Sequence, residues 1–191
     1  MGSEKGHSVK GIIFNQLENM VTEQLGPEAW DTLLTQTELS TPEGIFVGPK
    51  NYPDEDLFAL VGTASKVTGA SADTLVRGFG RYLFPKLAAL YPVFLRDGMS
   101  AKSFLMSVDR IIHVEIRKLD ANAGLPTITY EDPSPDGLVV IYRSPRNLCE
   151  LALGLIEGVA THFGETVAIT QPQCRRHGAD ACRIECTFAK A

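Results

Sequence analysis

The feature that most constrains the fold of this chain is a change of periodicity near residue 120. Before it, apolar residues recur every three or four positions between glycine and proline stops; after it, short β-branched runs alternate with turn residues. Ile13, Leu17, Val21 and the neighbouring Met20 mark a helix over 11–25, stopped by Gly26. Pro27 suits the first position of a second helix reaching about residue 39. Residues 41–52 are rich in proline and glycine, which predicts a loop with a short strand at 45–47. Pro53 opens a helix carrying Leu57, Leu60, Val61 and Val67, ended by Gly69. Ser71 caps the next, with Asp73 favoured in its first turn and Leu75, Val76, Phe79 and Leu83 along it. Pro85 is expected to break or kink that helix. Ser100 caps a long helix containing His113. With Ile112 at zero and about 100° per residue, Leu105, Val108, Ile116 and Leu119 fall within about 40° of it, and His113 lies about 100° away, at the edge of the apolar face.

The second half reads differently. Residues 127–131 and 138–142 flank the turn Pro133-Ser-Pro-Asp-Gly137 as a hairpin. Residues 146–163 form a helix with Gly154 and Gly158, each costing it about 1 kcal/mol but leaving a smooth face where another backbone or a flat ligand can approach. Residues 166–170 and 181–188 form a second strand pair. The expected fold is α+β: a helical N-terminal lobe over about 9–65, and a lobe of antiparallel sheet plus helices over about 66–191. Residues 1–8 are polar and glycine-rich, and are expected to be a disordered leader or tag.

The stretch richest in chemistry is Ile141-Tyr-Arg-Ser-Pro-Arg146. On a strand, residues two apart share a side, so Tyr142, Ser144 and Arg146 would present a phenol, a hydroxyl and a guanidinium over roughly 13 Å. All three donate hydrogen bonds and one is always charged, which suits a ligand bearing two carboxylates. The alternative is a set of solvated residues at a strand end. His113 alone is most simply a packed residue with satisfied nitrogens.

Tyr142-x-Ser144-x-Arg146 together with His113 resembles the signature of the H-NOX family, the haem–nitric oxide/oxygen binding domains. Lys10-Gly-Ile-Ile-Phe-Asn and Leu153-Gly-Leu-Ile-Glu-Gly158 are similar to family sequence too, and the resemblance runs from about residue 9 to the C-terminus. It implies a haem b between the two lobes. His113 would ligate the iron, Tyr142, Ser144 and Arg146 would clamp the propionates, and Pro126 would pack against the macrocycle. In oxygen-binding relatives a tyrosine seven residues past the serine donates a hydrogen bond to the gas. That position here is Leu151, and the other pocket positions correspond to Leu83, Leu17 and Ile13. Four aliphatic residues imply a sensor that binds NO (and CO) and excludes O₂; Tyr82, adjacent to Leu83, is the main threat to that expectation and the donor in an oxygen-binding alternative. The resemblance further implies that NO releases His113, that the lobes move, and that the signal passes in trans to a histidine kinase or cyclic-di-nucleotide enzyme, since no output domain is evident.

Cys149, Cys174 and Cys182 resemble a zinc set seen in some H-NOX proteins, where a histidine three residues before Cys174 completes the tetrahedron. Here that residue is Gln171, a poor ligand, so His177 or Cys186 would have to substitute. Redox-active thiols and inert buried cysteines remain open as alternatives.

The other classes are disfavoured. A net charge of −5 without a basic run argues against nucleic acid. No apolar stretch reaches membrane-spanning length, no secretory leader is evident, and four cysteines in such a chain fit a reducing cytoplasm. No nucleophile–base pair, P-loop or dinucleotide fingerprint is present, so no enzyme is expected. A haem-free zinc or small-molecule regulatory domain is the remaining alternative, since the C-terminal Cys-Arg-Arg-His-Gly-Ala-Asp stretch also resembles vinyl-reductase-type ligand domains.

Overall fold

The computed structural model describes residues 8–120 and 123–191. The expected leader falls mainly on residues 1–7, outside the described residues, while Ser8 begins the first strand. The chain divides into two compact units within one helix, after Phe79 and before Gly80, rather than near residue 65.

The first unit pairs β1 (Ser8–Lys10) antiparallel with β2 (Asn51–Pro53) and contains α1 (Gly11–Leu25), α2 (Pro27–Gln36) and α3 (Asp54–Thr68). The predicted strand at 45–47 does not form. A strand forms instead at β2, whose partners lie 41 to 45 residues upstream and leave no local pattern. Phe14 stacks on Phe46 with ring centroids 3.9 Å apart, and Tyr52 meets both rings edge-on. Gly11 is required where α1 starts: a Cβ there would lie 2.3 Å from the Val47 carbonyl oxygen. Asp56, only 2% exposed, accepts from the backbone N–H and hydroxyl groups of both Ser40 and Thr41. Those four donors outweigh burial and hold its carboxyl below the usual aspartate range.

The helix α4 (Ala72–Leu90) starts at Ser71, whose hydroxyl accepts from the Thr74 N–H. Pro85 does not end it. Pro85 deprives the Arg81 carbonyl of its helical donor, and that carbonyl faces Gly158 of α7 (Cys149–His162), where a Cβ would sit 3.1 Å away. One turn earlier, a Cβ on Gly80 would lie 2.6 Å from the Leu151 carbonyl and 2.8 Å from the Leu155 nitrogen. Gly80, Gly154 and Gly158 thus let two helix backbones touch; the smooth face expected on α7 receives a helix.

The rest of the second unit is a four-stranded antiparallel sheet in the order β3-β4-β6-β5: β3 (Thr127–Glu131), β4 (Gly137–Arg143), β5 (Glu165–Gln173) and β6 (Cys182–Lys190). Leu138, Val140 and Tyr142 of β4 and Ile184, Cys186 and Phe188 of β6 face a core completed by Leu153, Ile156 and Val159 of α7 and by Phe104 of α5 (Ala101–Ser107). Among the described residues, no helix is long and apolar enough to cross a membrane.

Candidate functional site

The helix bearing His113 is not uniform. Ser100 caps α5 reciprocally: its hydroxyl accepts from the Ser103 N–H at 3.2 Å, and its N–H donates to the Ser103 hydroxyl at 2.9 Å. After Ser107 the chain makes a π-turn over Val108–Ile112 and then α6 (His113–Leu119). A π-turn adds one residue to a helical turn, which sets everything after it back by about 100°. That equals the angle by which an unbroken helix would hold His113 off the core stripe. His113 therefore takes the inward position predicted for Ile112; it is 7% exposed, whereas Ile112 is only half-buried.

The imidazole is oriented. Nδ1 lies 3.0 Å from Asp109 Oδ1, so it donates to that carboxylate and Nε2 keeps its lone pair. Burial is the main cause holding the His113 pKa below the usual histidine value, with Asp109 opposing it, so the ring is neutral, the form that ligates metals. Arg117 Nη2 approaches the same Oδ1 at 3.6 Å. Tyr130 of β3, its hydroxyl pushed up to about 12 by burial, is hydrogen-bonded to the Asp109 backbone and ties the π-turn to the sheet.

Tyr142, Ser144 and Arg146 do not share one strand face. The ladder ends at Arg143, because Pro145 has no N–H to extend it. Tyr142 lies in β4 opposite Ile128 and Cys182; its hydroxyl donates to the Leu148 carbonyl at 3.4 Å, and burial pushes its pKa up. Ser144 and Arg146 sit in the following turn, where the Ser144 hydroxyl accepts the Arg146 N–H at 3.2 Å and Asn147 is left-handed at φ 52°. Tyr142 and Ser144 are buried and Arg146 half-buried. The guanidinium lies over Gly124, where a Cβ would be 2.8 Å from Nη2. Gly124 is two residues before Pro126, so the arginine and the proline loop are brought together. Two hydrogen-bond donors on one short turn and a third at the end of β4, with a neutral histidine buried in the same unit, fit a group that carries two carboxylates and a metal. His113 would hold the iron of such a haem and Tyr142, Ser144 and Arg146 its acid groups.

Leu83 is buried in α4, and Leu151 is half-buried in α7 with its carbonyl against Gly80. Tyr82 lies about 100° round α4 from Leu83, and the Lys86 ammonium is 4.8 Å from its ring centroid. In the first unit, Leu17 is buried and Ile13 half-buried on α1. Sequence reasoning passed over Gln16 beside them, a buried side chain whose Oε1 has no hydrogen-bond partner among the described residues. It also passed over Asp109, although a carboxylate four residues before a histidine on a helix was a legible signal.

The cysteines behave as three plus one. Cys149 Sγ lies 3.7 Å from Cys174 Sγ, which lies 3.9 Å from Cys182 Sγ, and all three fall within 4.8 Å of one another. Burial pushes Cys149 and Cys182 up; it acts on Cys174 too, but hydrogen bonds from Arg176 and the neighbouring thiols outweigh it and draw that thiol down. Neither substitute fourth ligand joins the group. Cys186 is four residues along β6 from Cys182, about 13 Å at strand rise, and its thiol is pushed up to about 12 by burial. His177 is exposed on the turn Arg175–His177. The Gln171 amide nitrogen is buried and has no hydrogen-bond partner among the described residues. Three soft donors suit zinc chemically, but a structural site requires a fourth.

The architecture is a two-lobed α+β fold with a buried histidine whose Nε2 is left for a ligand. A family model described as Haem-NO-binding matches residues 10–171. An H-NOX protein from S. oneidensis solved in the Fe(II)NO ligation state is 31% identical, with a TM-score of 0.88 over 95% of this chain and 100% of that one. The Fe(II) unliganded H-NOX protein from K. algicida is 28% identical, with a TM-score of 0.86 over 96% of this chain and 98% of that one. Soluble guanylate cyclase 89Db of Drosophila melanogaster is 25% identical over 156 residues, 80% of this chain but 23% of the fly protein. The chain belongs to the haem-NO-binding, or H-NOX, family of haem-based gas sensors.

Proposed function

We propose that this protein senses NO at a ferrous haem and discriminates against O₂. The observation that carries the proposal is the buried neutral imidazole of His113, with Nδ1 committed to Asp109 and Nε2 left for metal. Haem supplies a ferrous iron that binds diatomic gases. His113 holds it from one side. Arg146 suits one acid group through its paired donors, the Tyr142 and Ser144 hydroxyls serve the other, and Pro126 supports the ring. Bound O₂ gains from a hydrogen-bond donor and NO does not need one, so the aliphatic Ile13, Leu17, Leu83 and Leu151 favour NO. The Tyr82 ring carries the Lys86 ammonium, but its hydroxyl is buried, so Tyr82 stays the donor of the oxygen-binding alternative.

The output is a switch. NO weakens the hold of His113, α6 is freed, the lobes shift and a separate partner, a histidine kinase or cyclic-di-nucleotide enzyme, responds. This is a population shift driven by different gas affinities of two states. The domain catalyses nothing itself. The three clustered thiols support a second ligand, zinc, held by Cys149, Cys174 and Cys182 with a fourth donor from outside the group.

A visible absorption spectrum of the purified protein tests the reading. The expected result is a Soret band whose ferrous position is unchanged in air and shifts on adding NO. A ferrous spectrum that shifts in air supports the oxygen-binding alternative with Tyr82 as donor, and a protein without a Soret band after haem reconstitution refutes both.

A further inference from the structure

Asp109 has a role that the haem-holding residues do not cover. One of its oxygens, Oδ1, is shared between two groups: the His113 ring nitrogen at 3.0 Å and the Arg117 guanidinium at 3.6 Å. Asp109 is held to receive both. It lies inside the π-turn that brings His113 inward, and the Tyr130 hydroxyl fixes its backbone from β3. Asp109 is 28% exposed and Arg117 43% exposed, so the pair stands at the rim while the imidazole is inside.

A carboxylate that accepts the second N–H of a ligating imidazole fixes the ring and makes the other nitrogen a stronger donor to metal. A cation sharing the same oxygen draws electron density away and weakens that effect. We infer that Asp109 and Arg117 are a pair of opposed positioning residues that set how readily His113 releases iron when NO binds. Asp109 strengthens the bond, Arg117 moderates it, and their balance sets the threshold of the sensor. The inference rests on His113 being the iron ligand. Its content is the opposite sign of the two contributions.

The test uses the full chain loaded with haem. The iron–histidine stretching frequency of the ferrous protein is measured by resonance Raman, and the fraction of His113 released at saturating NO is read from the Soret position. Asp109→Asn should lower the stretching frequency and move the released-to-held ratio on the order of tenfold toward release. Arg117→Gln should raise the frequency and shift the ratio the other way. Arg117 is half-exposed at the surface, so its variant remains decisive if Asp109→Asn loses haem. Shifts of the same sign, or a wild-type frequency in Arg117→Gln, overturn the inference, since loosened packing does not push the two variants apart. An absent iron–histidine stretch in the wild type, or one that persists in His113→Gly, overturns this inference and the haem reading together. A wild-type stretch that vanishes in His113→Gly but is unmoved in both rim variants overturns this inference alone.

Discussion

The crossing of α4 and α7 makes a quantitative demand on Gly80. A methyl group there meets only backbone: the Leu151 oxygen at 2.6 Å, the Leu155 nitrogen at 2.8 Å and the Gly154 carbonyl carbon at 2.9 Å. None of these can turn aside as a side-chain end can, so the helices must part by a few tenths of an ångström or more. Overpacking of this kind costs about 3 kcal/mol at the upper end of its range. Replacing a mid-helix glycine by alanine returns about 1 kcal/mol in helix propensity, so Gly80→Ala should lose about 2 kcal/mol, a fall in Tm of roughly 4–8 °C for a chain of this size. Gly62 is the control. It lies inside α3 with no neighbour within 4 Å of the added Cβ, so Gly62→Ala should keep the gain of about 1 kcal/mol. Thermal and denaturant unfolding of the two variants should therefore differ in sign relative to wild type. A Gly80→Ala protein as stable as wild type would refute the argument from backbone contact. The consequence reaches the proposed pocket, because Leu83 follows Gly80 by three residues on α4 and Leu151 lies at the contact on α7.

Three further outcomes are expected. Asp56→Asn should cost about 3 kcal/mol, since it weakens charged hydrogen bonds to a buried carboxylate; because the folded carboxyl titrates below its unfolded value, that stabilisation is present above the unfolded pKa and is lost as pH falls through the folded one, so acid unfolding of wild type should show a stability loss below about pH 4 that the variant lacks. Arg146→Ala should lose haem to a scavenging apoglobin faster than Ser144→Ala, by the margin of charged over neutral hydrogen bonds, about 1 kcal/mol or some fivefold in retention; equal loss would remove the guanidinium from the binding role. Alkylation of the metal-free protein at mild alkaline pH, followed by mass spectrometry, should label Cys174 before Cys149 or Cys182 and leave Cys186 last, and prior zinc loading that fails to protect Cys174 would count against a metal at the cluster.

Features written into neighbouring residues were legible in the sequence. The bounds of α1 and the end of α3 follow from Gly26 and Gly69, the start of α2 from Pro27, and the cap of α5 from Ser100. Features created by tertiary contact were not. Pro85 is expected to break or kink α4, yet the helix runs through it and the carbonyl it frees is met by Gly158. The pairing of β1 with β2 leaves no local trace. Within the candidate site, His113 and the Tyr-Ser-Arg residues were identifiable as chemistry, yet their geometry was misjudged for physical reasons: a π-turn rotates the histidine inward, and Pro145 converts a presumed strand comb into a turn. The cysteine group was visible as spacing, but a strand rise of about 3.3 Å per residue already put Cys186 beyond reach of Cys182.

The strand order carries a cost during synthesis. β5 joins the sheet only through β6, which lies between it and β4 although it is made last. A nascent chain can close the β3–β4 hairpin early, but it holds β5 unpaired until residues 182–190 have left the ribosome. Until then the edge of β4 that pairs with β6, Tyr142 included, also lacks its neighbour. The turn proposed to grip the haem acids therefore matures only after β6 has emerged, and cofactor capture by that turn waits for the last strand of the sheet.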